Sequence, residues 1–385
     1  MRVAINAQKT LERETGVGNY AYNLIQGLSH LPGAAQSLKL YLLHGRRALQ
    51  ETCDSLPINS REWGLKGSHW RILWEQLGLP WQVGREGADL VHYLDHALPL
   101  LYQPCPAIIT VHDLAFYRLP EMYNFGRRAY KQFIGLRSVR RAAHIIAVSE
   151  STKKEIIALA GVPESRITVI PYGINPAFRP LPSSDLIEIK KKYDLTRPFF
   201  LFVGTLQPRK NIRAIIAALS KLILENNLDC ELVLAGAEGW LSGDLLSFAG
   251  EKRIADRLRL LGAVPHDRLP ELYNSAVALV YPSWYEGFGL PPLEAMACGV
   301  SVIASRLTSL PEVVGDAGLL VDPGDIDTLA REMLNVVQDA ELRRKLSQLG
   351  LDRAKRFSWE TCARETYRVY EQVIQERRHL KTLAS

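Results

Sequence analysis

The 385-residue sequence has no apolar run approaching the roughly 18 residues of a membrane-spanning helix. A transmembrane protein is therefore not expected. Its five cysteines (Cys53, Cys105, Cys230, Cys298 and Cys362) are scattered, odd in number and without CxxC spacing. That pattern excludes a disulfide framework and a zinc knuckle, and points to buried reduced thiols. No low-complexity block interrupts the chain, and apolar residues at 47% and charged residues at 23% are ordinary for a globular protein, which confines disorder to the last few residues. No targeting segment is apparent: Met1-Arg-Val-Ala-Ile-Asn6 reads as a strand that begins at once, so a cytoplasmic protein is expected. The only DxD string, Asp325-Ile-Asp327, follows Asp322-Pro-Gly and precedes an apolar helical pattern, which suits helix capping better than a divalent ion. No metal and no cofactor are expected.

The length exceeds what one hydrophobic core usually serves, so two domains are the starting expectation. The formal charge of +6 is uneven: residues 1–178 hold 20 Lys and Arg against 14 Asp and Glu, whereas 179–385 hold 27 against 27. The densest stretch, Arg127, Arg128, Lys131, Arg137, Arg140 and Arg141, is interleaved with Tyr130, Phe133, Ile134, Leu136 and Val139 at helical spacing. A solvated helix face explains it; an anionic membrane surface or a phosphate-bearing acceptor would also use it. No nucleic-acid partner is expected.

Short β-rich apolar runs alternate with helical segments, which predicts parallel sheets covered by helices. In the first half the strands are expected at Arg2–Asn6, Lys39–Leu43, Asp89–Tyr93, Ala107–Val111, His144–Val148 and Ile167–Ile170. The proline-rich stretch from Pro171 to Pro182 suits a linker. The pattern restarts with Phe199–Val203, Glu231–Ala235, Arg259–Gly262, Val277–Tyr281, Ser301–Ala304 and Leu319–Val321. Two α/β domains follow, 1–178 and 179–358. A last helix, about 359–376, carries Trp359, Cys362, Ala363, Thr366, Tyr370, Val373 and Ile374 as an apolar stripe. It either ends the second domain or packs back onto the first.

In open parallel sheets ligands bind beyond the carboxyl ends of the strands. Gly204-Thr-Leu-Gln-Pro-Arg209-Lys210-Asn211 follows the first strand of the second half, and its two cations precede a helix whose amide dipoles also favour negative charge. A phosphate or diphosphate is expected there. In Glu286-Gly-Phe-Gly-Leu-Pro-Pro-Leu-Glu294, Gly287 and Gly289 allow close backbone approach, and Pro291 and Pro292 start a helix with Glu294 in its first turn. Both carboxylates can then border one pocket, accept hydrogen bonds from sugar and ribose hydroxyls, and steady positive charge at an anomeric carbon. In the first half, Thr110-Val-His112-Asp113 places His112 and Asp113 at a strand's carboxyl end, and Gly16-Val-Gly18-Asn19-Tyr20 forms a loop leading into a helix, suited to anions. Trp63, Trp70, Trp74 and Trp81 fall in the variable stretch 44–88; core packing is the majority reading, with sugar stacking or a lipid-facing helix as alternatives.

These residues resemble glycosyltransferase family 4, a group of retaining enzymes with the GT-B fold, over essentially the whole chain. Glu286 and Glu294, with seven residues between, match its paired-glutamate motif, Arg209 and Lys210 its diphosphate pair, and Gly16 and Gly18 its glycine loop. Val-Ser149-Glu-Ser-Thr and Pro171-Tyr-Gly173 fall where the family has similar segments. The resemblance implies two Rossmann-like domains facing across a donor-binding cleft. The strings around His112, Arg209 and Glu286 look most like bacterial mannosyltransferases that use GDP-mannose. On that likeness Glu286 and the amides near Phe288, Gly289 and Leu290 grip the donor sugar, His112 contacts it from the other domain with Asp113 beside it, and Glu294 binds the ribose. Arg209 and Lys210 neutralise the leaving diphosphate, and Val264 flanks the base. The acceptor is a glycan or lipid-linked saccharide, met in the cytoplasm or peripherally at the inner face of an anionic membrane. Two positions depart from the family pattern. Thr205 stands where many members have arginine, and Pro291 has no N–H for the phosphate contact made there elsewhere.

A UDP-glucose- or UDP-GlcNAc-dependent transferase of the same fold is the alternative donor reading, and a non-catalytic sugar-nucleotide binder the alternative of another class. Gly16-Val-Gly18-Asn-Tyr-Ala21 formally satisfies the GxGxxA of nicotinamide-dependent oxidoreductases, but that fingerprint wants glycine at the strand end and an acidic residue about 20 positions on. Here Gly16 lies nine positions after Ala7, and the second strand runs into Leu43-His44.

Overall fold

The computed structural model describes residues 1–11, 15–42, 58–60, 68–122, 125–237, 239 and 244–384. The chain divides into two compact units, Met1–Gly173 with Ser358–Ser385, and Ile174–Phe357. The first boundary lies ahead of the one expected after Phe178, because Phe178 is buried against His266 (ring centroids 5.2 Å) and Tyr273 (5.9 Å) of the second unit. Gly173 ends the first unit: a Cβ there would lie 2.0 Å from the backbone nitrogen of Trp359, so only glycine lets the two segments touch.

Among the described residues the first unit is built on seven parallel strands, β1 (Val3–Asn6), β2 (Leu38–Leu42), β3 (Ile58–Ser60), β4 (Leu90–Tyr93), β5 (Ala107–Val111), β6 (His144–Ala147) and β7 (Ile167–Val169). Their order is β3-β2-β1-β4-β5-β6-β7, with Val3 in register with Leu38 on one side and Leu90 on the other. β3 was not expected. β1, β4, β5 and β6 are buried at every position, as strands covered on both faces must be. Helix α1 (Gly16–Ser29) follows β1, and α2 (Phe125–Arg141) precedes β6.

The second unit repeats the plan with β8 (Phe199–Val203), β9 (Glu231–Ala235), β10 (Leu258–Gly262), β11 (Ala278–Tyr281), β12 (Ser301–Ser305) and β13 (Leu319–Val321), in the order β10-β9-β8-β11-β12-β13, all parallel. Each sheet thus contains the doubly wound 3-2-1-4-5-6 order of dinucleotide-binding folds. Around this sheet lie α3 (Ile212–Asn226), α4 (Leu269–Ser275), α5 (Leu290–Ala297) and α6 (Ile326–Gln338). Asp325 caps α6, its side chain accepting from the Thr328 amide at 2.9 Å. Asp327 of the same string pairs with Lys221.

The final helix, α7 (Trp359–Ala384), belongs to the first unit and runs past the end expected for it. Its apolar stripe packs along α1, the Tyr20 and Trp359 rings lying 6.2 Å apart. Polar contacts fix its register: Ser37 Oγ to Tyr367 Oη at 3.0 Å, and Tyr370 Oη to His92 Nδ1 at 2.7 Å. That second contact opens a fully buried chain, His92 Nε2 to Thr110 Oγ1 at 2.9 Å and Thr110 Oγ1 to Tyr20 Oη at 3.0 Å. Burial, aided by the nearby His112, pushes the His92 imidazole down to about 3, so the ring is neutral. Cys105, Cys230, Cys298 and Cys362 are buried and unpaired; Cys53 lies outside the described residues.

Tyr370→Phe strips His92 Nδ1 of its partner without changing the shape of the core. A loss of about 1–2 kcal/mol is expected, read as a lower urea midpoint at pH 7. Because the buried His92 is depressed from 6.5 to about 3, the unfolded chain binds the extra proton between those values. Its contribution to stability is therefore complete above pH 6.5 and declines on acidification towards about pH 3.

Candidate active site

In the second unit the strand order reverses between β8 and β11, and the loops leaving their carboxyl ends carry the residues of interest. After β8 the chain forms a tight turn, Pro208–Lys210, closed by Asn211 in the left-handed conformation (φ 58°), from which α3 starts. Asparagine tolerates this backbone better than most residues, and its side chain donates to the Pro323 carbonyl at 2.7 Å. Gly236, after β9, holds the neighbouring loop tight: a Cβ there would lie 2.0 Å from the Gly204 carbonyl oxygen. The turn thereby points Lys210 inwards, where it is buried.

Lys210 Nζ donates to Glu286 Oε1 at 2.5 Å and to the Tyr281 hydroxyl at 2.6 Å. Arg209 reaches the same carboxylate, Nη1 to Oε2 at 3.3 Å, and donates to the Tyr285 carbonyl at 2.8 Å. Burial alone would raise the Glu286 pKa, but the charges of Lys210 and Arg209 outweigh it and hold the group down to about 2. Two cations share this one carboxylate, which leaves the trio of Arg209, Lys210 and Glu286 with a net positive charge.

The loop carrying Glu286 is fixed from β12's side. The Thr308 hydroxyl accepts from the Glu286 amide at 3.1 Å, and Ser309 Oγ donates to the carbonyls of Glu286 (2.9 Å) and Phe288 (2.8 Å). Phe288 is buried edge-on against Phe357, with centroids 5.8 Å apart. Gly289, with φ +113°, caps α5, a conformation closed to residues with a Cβ. Leu290 is the first helical residue, so Glu294 begins the second turn and not the first as expected. Pro291 and Pro292 bring no N–H, which leaves the amides of Gly289 and Leu290 as the donors at this end; neither has a hydrogen-bond partner among the described residues.

Glu294 is buried, accepts from the Tyr273 hydroxyl of α4 at 2.8 Å and lies 3.5 Å from His266 Nε2. Burial pulls the His266 pKa down, but the hydrogen bond to Glu294 and its charge prevail and raise it. Burial raises the Tyr281 hydroxyl well above its ordinary range, and the charges of Glu286 and Glu294 add to the rise while Arg209 opposes it. Sequence reasoning missed Tyr281, Tyr273, His266, Thr308 and Ser309. Tyr281 ends β11 and was findable by position; the others become neighbours only through the fold. Thr205 is exposed just after β8, and Val264 is half-buried in the turn after β10.

In the first unit Gly16 and Gly18 do not form a loop. They open α1, capped by Thr15, whose hydroxyl accepts from the Gly18 amide at 3.0 Å, so that amide is already satisfied. His112 is buried with both ring nitrogens engaged, Nδ1 by the Tyr172 hydroxyl (2.5 Å) and Nε2 by the Leu94 carbonyl (2.9 Å). The carbonyl can only accept, so Nε2 carries the proton, and burial lowers the ring's pKa. Asp113 accepts from the Ala115 amide at 3.2 Å, a local capping contact. Beside them, where this sheet reverses between β1 and β4, lies a cluster the sequence did not announce. Asp95 sits 2.6 Å from His96 Nδ1 and 3.6 Å from Lys9 Nζ, and Asn6 donates to Glu75 at 3.4 Å. Burial would raise Asp95, but His96 and Lys9 hold it well below the usual carboxylate range, whereas burial dominates at Glu75 and raises it. Among the described residues no three His, Cys, Asp or Glu side chains are grouped as metal ligands.

Two family models match the chain, Glycosyltransferase Family 4 over residues 15–178 and Glycosyl transferases group 1 over 184–353. The O-antigen chain mannosyltransferase B of Escherichia coli is 34% identical over 375 residues, covering 93% of this chain and 96% of that protein. A serotype-specific mannosyltransferase of the same organism is 34% identical over 68% of this chain, which spans only 32% of that longer protein. Among solved structures, a sucrose-phosphate synthase from Thermosynechococcus elongatus superposes with a TM-score of 0.78 at 21% identity, over 98% of this chain and all of that one. That likeness establishes the fold, two Rossmann-like units of the GT-B class.

Removing one member of the Lys210–Glu286 pair leaves a buried charge without its nearest counter-ion. Lys210→Met is expected to cost about 3 kcal/mol in urea unfolding, and Lys210→Met combined with Glu286→Gln to recover most of it. Additive losses in the double-mutant cycle would show that the two side chains are not coupled.

Proposed function

Because this chain belongs to glycosyltransferase family 4, we propose that it transfers mannose from GDP-mannose to a hydroxyl of a glycan or lipid-linked saccharide, with retention of anomeric configuration. One observation carries the reading: two buried or half-buried cations, Lys210 and Arg209, converge on a single carboxylate at the reversal point of the second sheet. The net positive charge suits a diphosphate leaving group, and fixed cations can stabilise its departure without a bound metal. The identity to a named mannosyltransferase supports the sugar.

In this proposal Arg209 and Lys210 take up the charge that develops on the departing diphosphate. Glu286, with a pKa near 2, is ionised throughout the physiological range and accepts from sugar hydroxyls, while the amides of Phe288, Gly289 and Leu290 supply donors beside it. Glu294 spends one oxygen on Tyr273 and faces His266 with the other, which leaves lone pairs for the ribose hydroxyls. Val264 and Thr205 border the nucleotide. On the first unit, Asp113 stands beside His112, a buried ring held through both nitrogens by Tyr172 and Leu94, whose role is to fix this part of the unit and position its neighbours. The acceptor hydroxyl attacks from the face that the nucleotide leaves. The protein acts in the cytoplasm, against the inner face of the membrane where a lipid-linked acceptor would be displayed.

A panel of GDP- and UDP-sugars, scored by thermal stabilisation and by nucleotide release with and without acceptor, tests the reading. GDP-mannose should be turned over in preference to UDP-glucose and UDP-GlcNAc, and an α-linked donor should give an α-linked product by NMR. Lys210→Ala, Arg209→Ala and Glu286→Gln should each lower kcat/KM by about 100-fold or more. Turnover of a UDP-sugar in place of GDP-mannose would reassign the donor, and stabilisation without acceptor-dependent release would reduce the protein to a binder.

A further inference from the structure

The helical run from Ser68 to Arg85, in which a π-helical turn (Trp74–Gly78) joins Ser68–Leu73 to Leu79–Arg85, is apolar on two faces. Trp74, Leu79 and Val83 are buried in the first unit's core. Trp70, Leu73, Leu77 and Trp81, spaced three or four residues apart, stand 43–52% exposed on the other side. A soluble helix usually presents polar residues there. Two elements tied to this run also carry exposed apolar side chains, Leu101 at 82%, Tyr102 at 51%, and Phe133 of α2 at 52%. These elements are tied together: Gln76 binds the Leu98 carbonyl (3.2 Å) and the Leu100 amide (3.0 Å), Ser138 of α2 accepts from the Leu98 amide (2.8 Å), and Arg141 donates to the Leu100 carbonyl. Tyr102 Oη lies 2.9 Å from where a Cβ on Gly84 would project, one turn on from Trp81.

The rim is cationic. Arg85 stacks over the Trp81 ring (5.5 Å) and Arg137 over Phe133 (3.7 Å), with Arg141 one turn further along α2. α2 contains no acidic residue. The acids of the other elements are turned to partners within the unit, Glu75 towards Asn6 and Glu86 towards Lys39 and Tyr41.

We propose that this face seats the first unit in the headgroup layer of an anionic bilayer, with Trp70, Leu73, Leu77 and Trp81 entering the interface and Arg85, Arg137 and Arg141 meeting lipid phosphates. Tryptophan and tyrosine combine an apolar body with a polar handle and favour that depth, and arginine keeps its guanidinium in the headgroups while its stem lies along apolar surface. Charge selects lipid over a second copy of the chain: a symmetric pairing through this face would bring the arginine rims together, whereas anionic headgroups neutralise them. No helix among the described residues is long and apolar enough to cross a membrane, so the contact lies in the plane of the surface. The inference rests on the membrane-side acceptor reading above only for its purpose, bringing the enzyme to a lipid-linked acceptor.

The test is cosedimentation of the full chain, without nucleotide or acceptor, with vesicles of phosphatidylcholine alone and with phosphatidylglycerol added. Binding is expected only with the anionic lipid and should weaken at high salt. Leu77→Glu with Trp81→Glu, and separately Arg85→Glu with Arg137→Glu, should each reduce partitioning about tenfold or more, with urea midpoints and transfer to a soluble acceptor unchanged. If the apolar pair fails to fold, the charge-reversal pair decides. Absence of wild-type binding, or undiminished binding by the folded variants, overturns the proposal. So does a concentration-dependent dimer that the glutamate pair dissolves while vesicle binding persists. Since no sugar donor enters the vesicle measurement, its outcome is independent of the donor assignment.

Discussion

The second unit is organised around the 2.5 Å contact between Lys210 and Glu286, two residues 76 positions apart in sequence. Burying this pair takes both charges out of water, a penalty that the attraction between them often fails to repay. Its presence is better explained by what it prepares than by what it stabilises. Arg209 adds a second cation to the same carboxylate, so neutrality is not reached within the trio, and the Tyr281 hydroxyl takes a second donor of the lysine. The surrounding geometry then reads as support: the left-handed Asn211 turns the cations inwards, Gly236 lets the next loop close against them, and Thr308 and Ser309 hold the Glu286 loop by three hydrogen bonds.

The two sheets share a strand order and place a charged cluster at the same topological point, yet the chemistry differs. In the second unit the reversal between β8 and β11 presents excess positive charge. In the first, the reversal between β1 and β4 presents Asp95 and Glu75 with Lys9 and His96, a set better matched to hydroxyls than to phosphate. The same plan is thus built twice with different charge, two cations on one carboxylate in the second unit and a mixed set of acids and bases in the first. The C-terminal helix adds an asymmetry: it belongs to the first unit and reaches that unit's sheet through Tyr370 and the buried His92.

Twelve of the thirteen strands among the described residues were legible within a residue or so, because parallel strands covered on both faces leave short, almost wholly apolar runs such as Phe199–Val203. β3 was not, being three residues of Ile-Asn-Ser with little apolar signal. The cationic pair and the two glutamates were legible from their glycine and proline settings. Their partners were not: Thr308 and His266 come from loops with no motif, and only the fold carries them to Glu286 and Glu294. Helix boundaries misled where capping decides them, since Thr15 starts α1 early enough to absorb Gly16 and Gly18, and Gly289 starts α5 one residue before Pro291.

The tryptophans show a different limit. Core packing was expected of them, and it describes Trp74 but not Trp70 or Trp81, while Trp63 lies outside the described residues. Residues four apart on a regular α-helix share a face, so Trp70 and Trp74 would be read together. The structure separates them: Trp74 is buried in the core, whereas Trp70, Leu73, Leu77 and Trp81, three or four residues apart, stand outside on one helical face. An apolar face standing at the surface, beside a helix that carries arginines and no acids, is costly in water. Its persistence is most simply understood if the surroundings that it meets in use are not water.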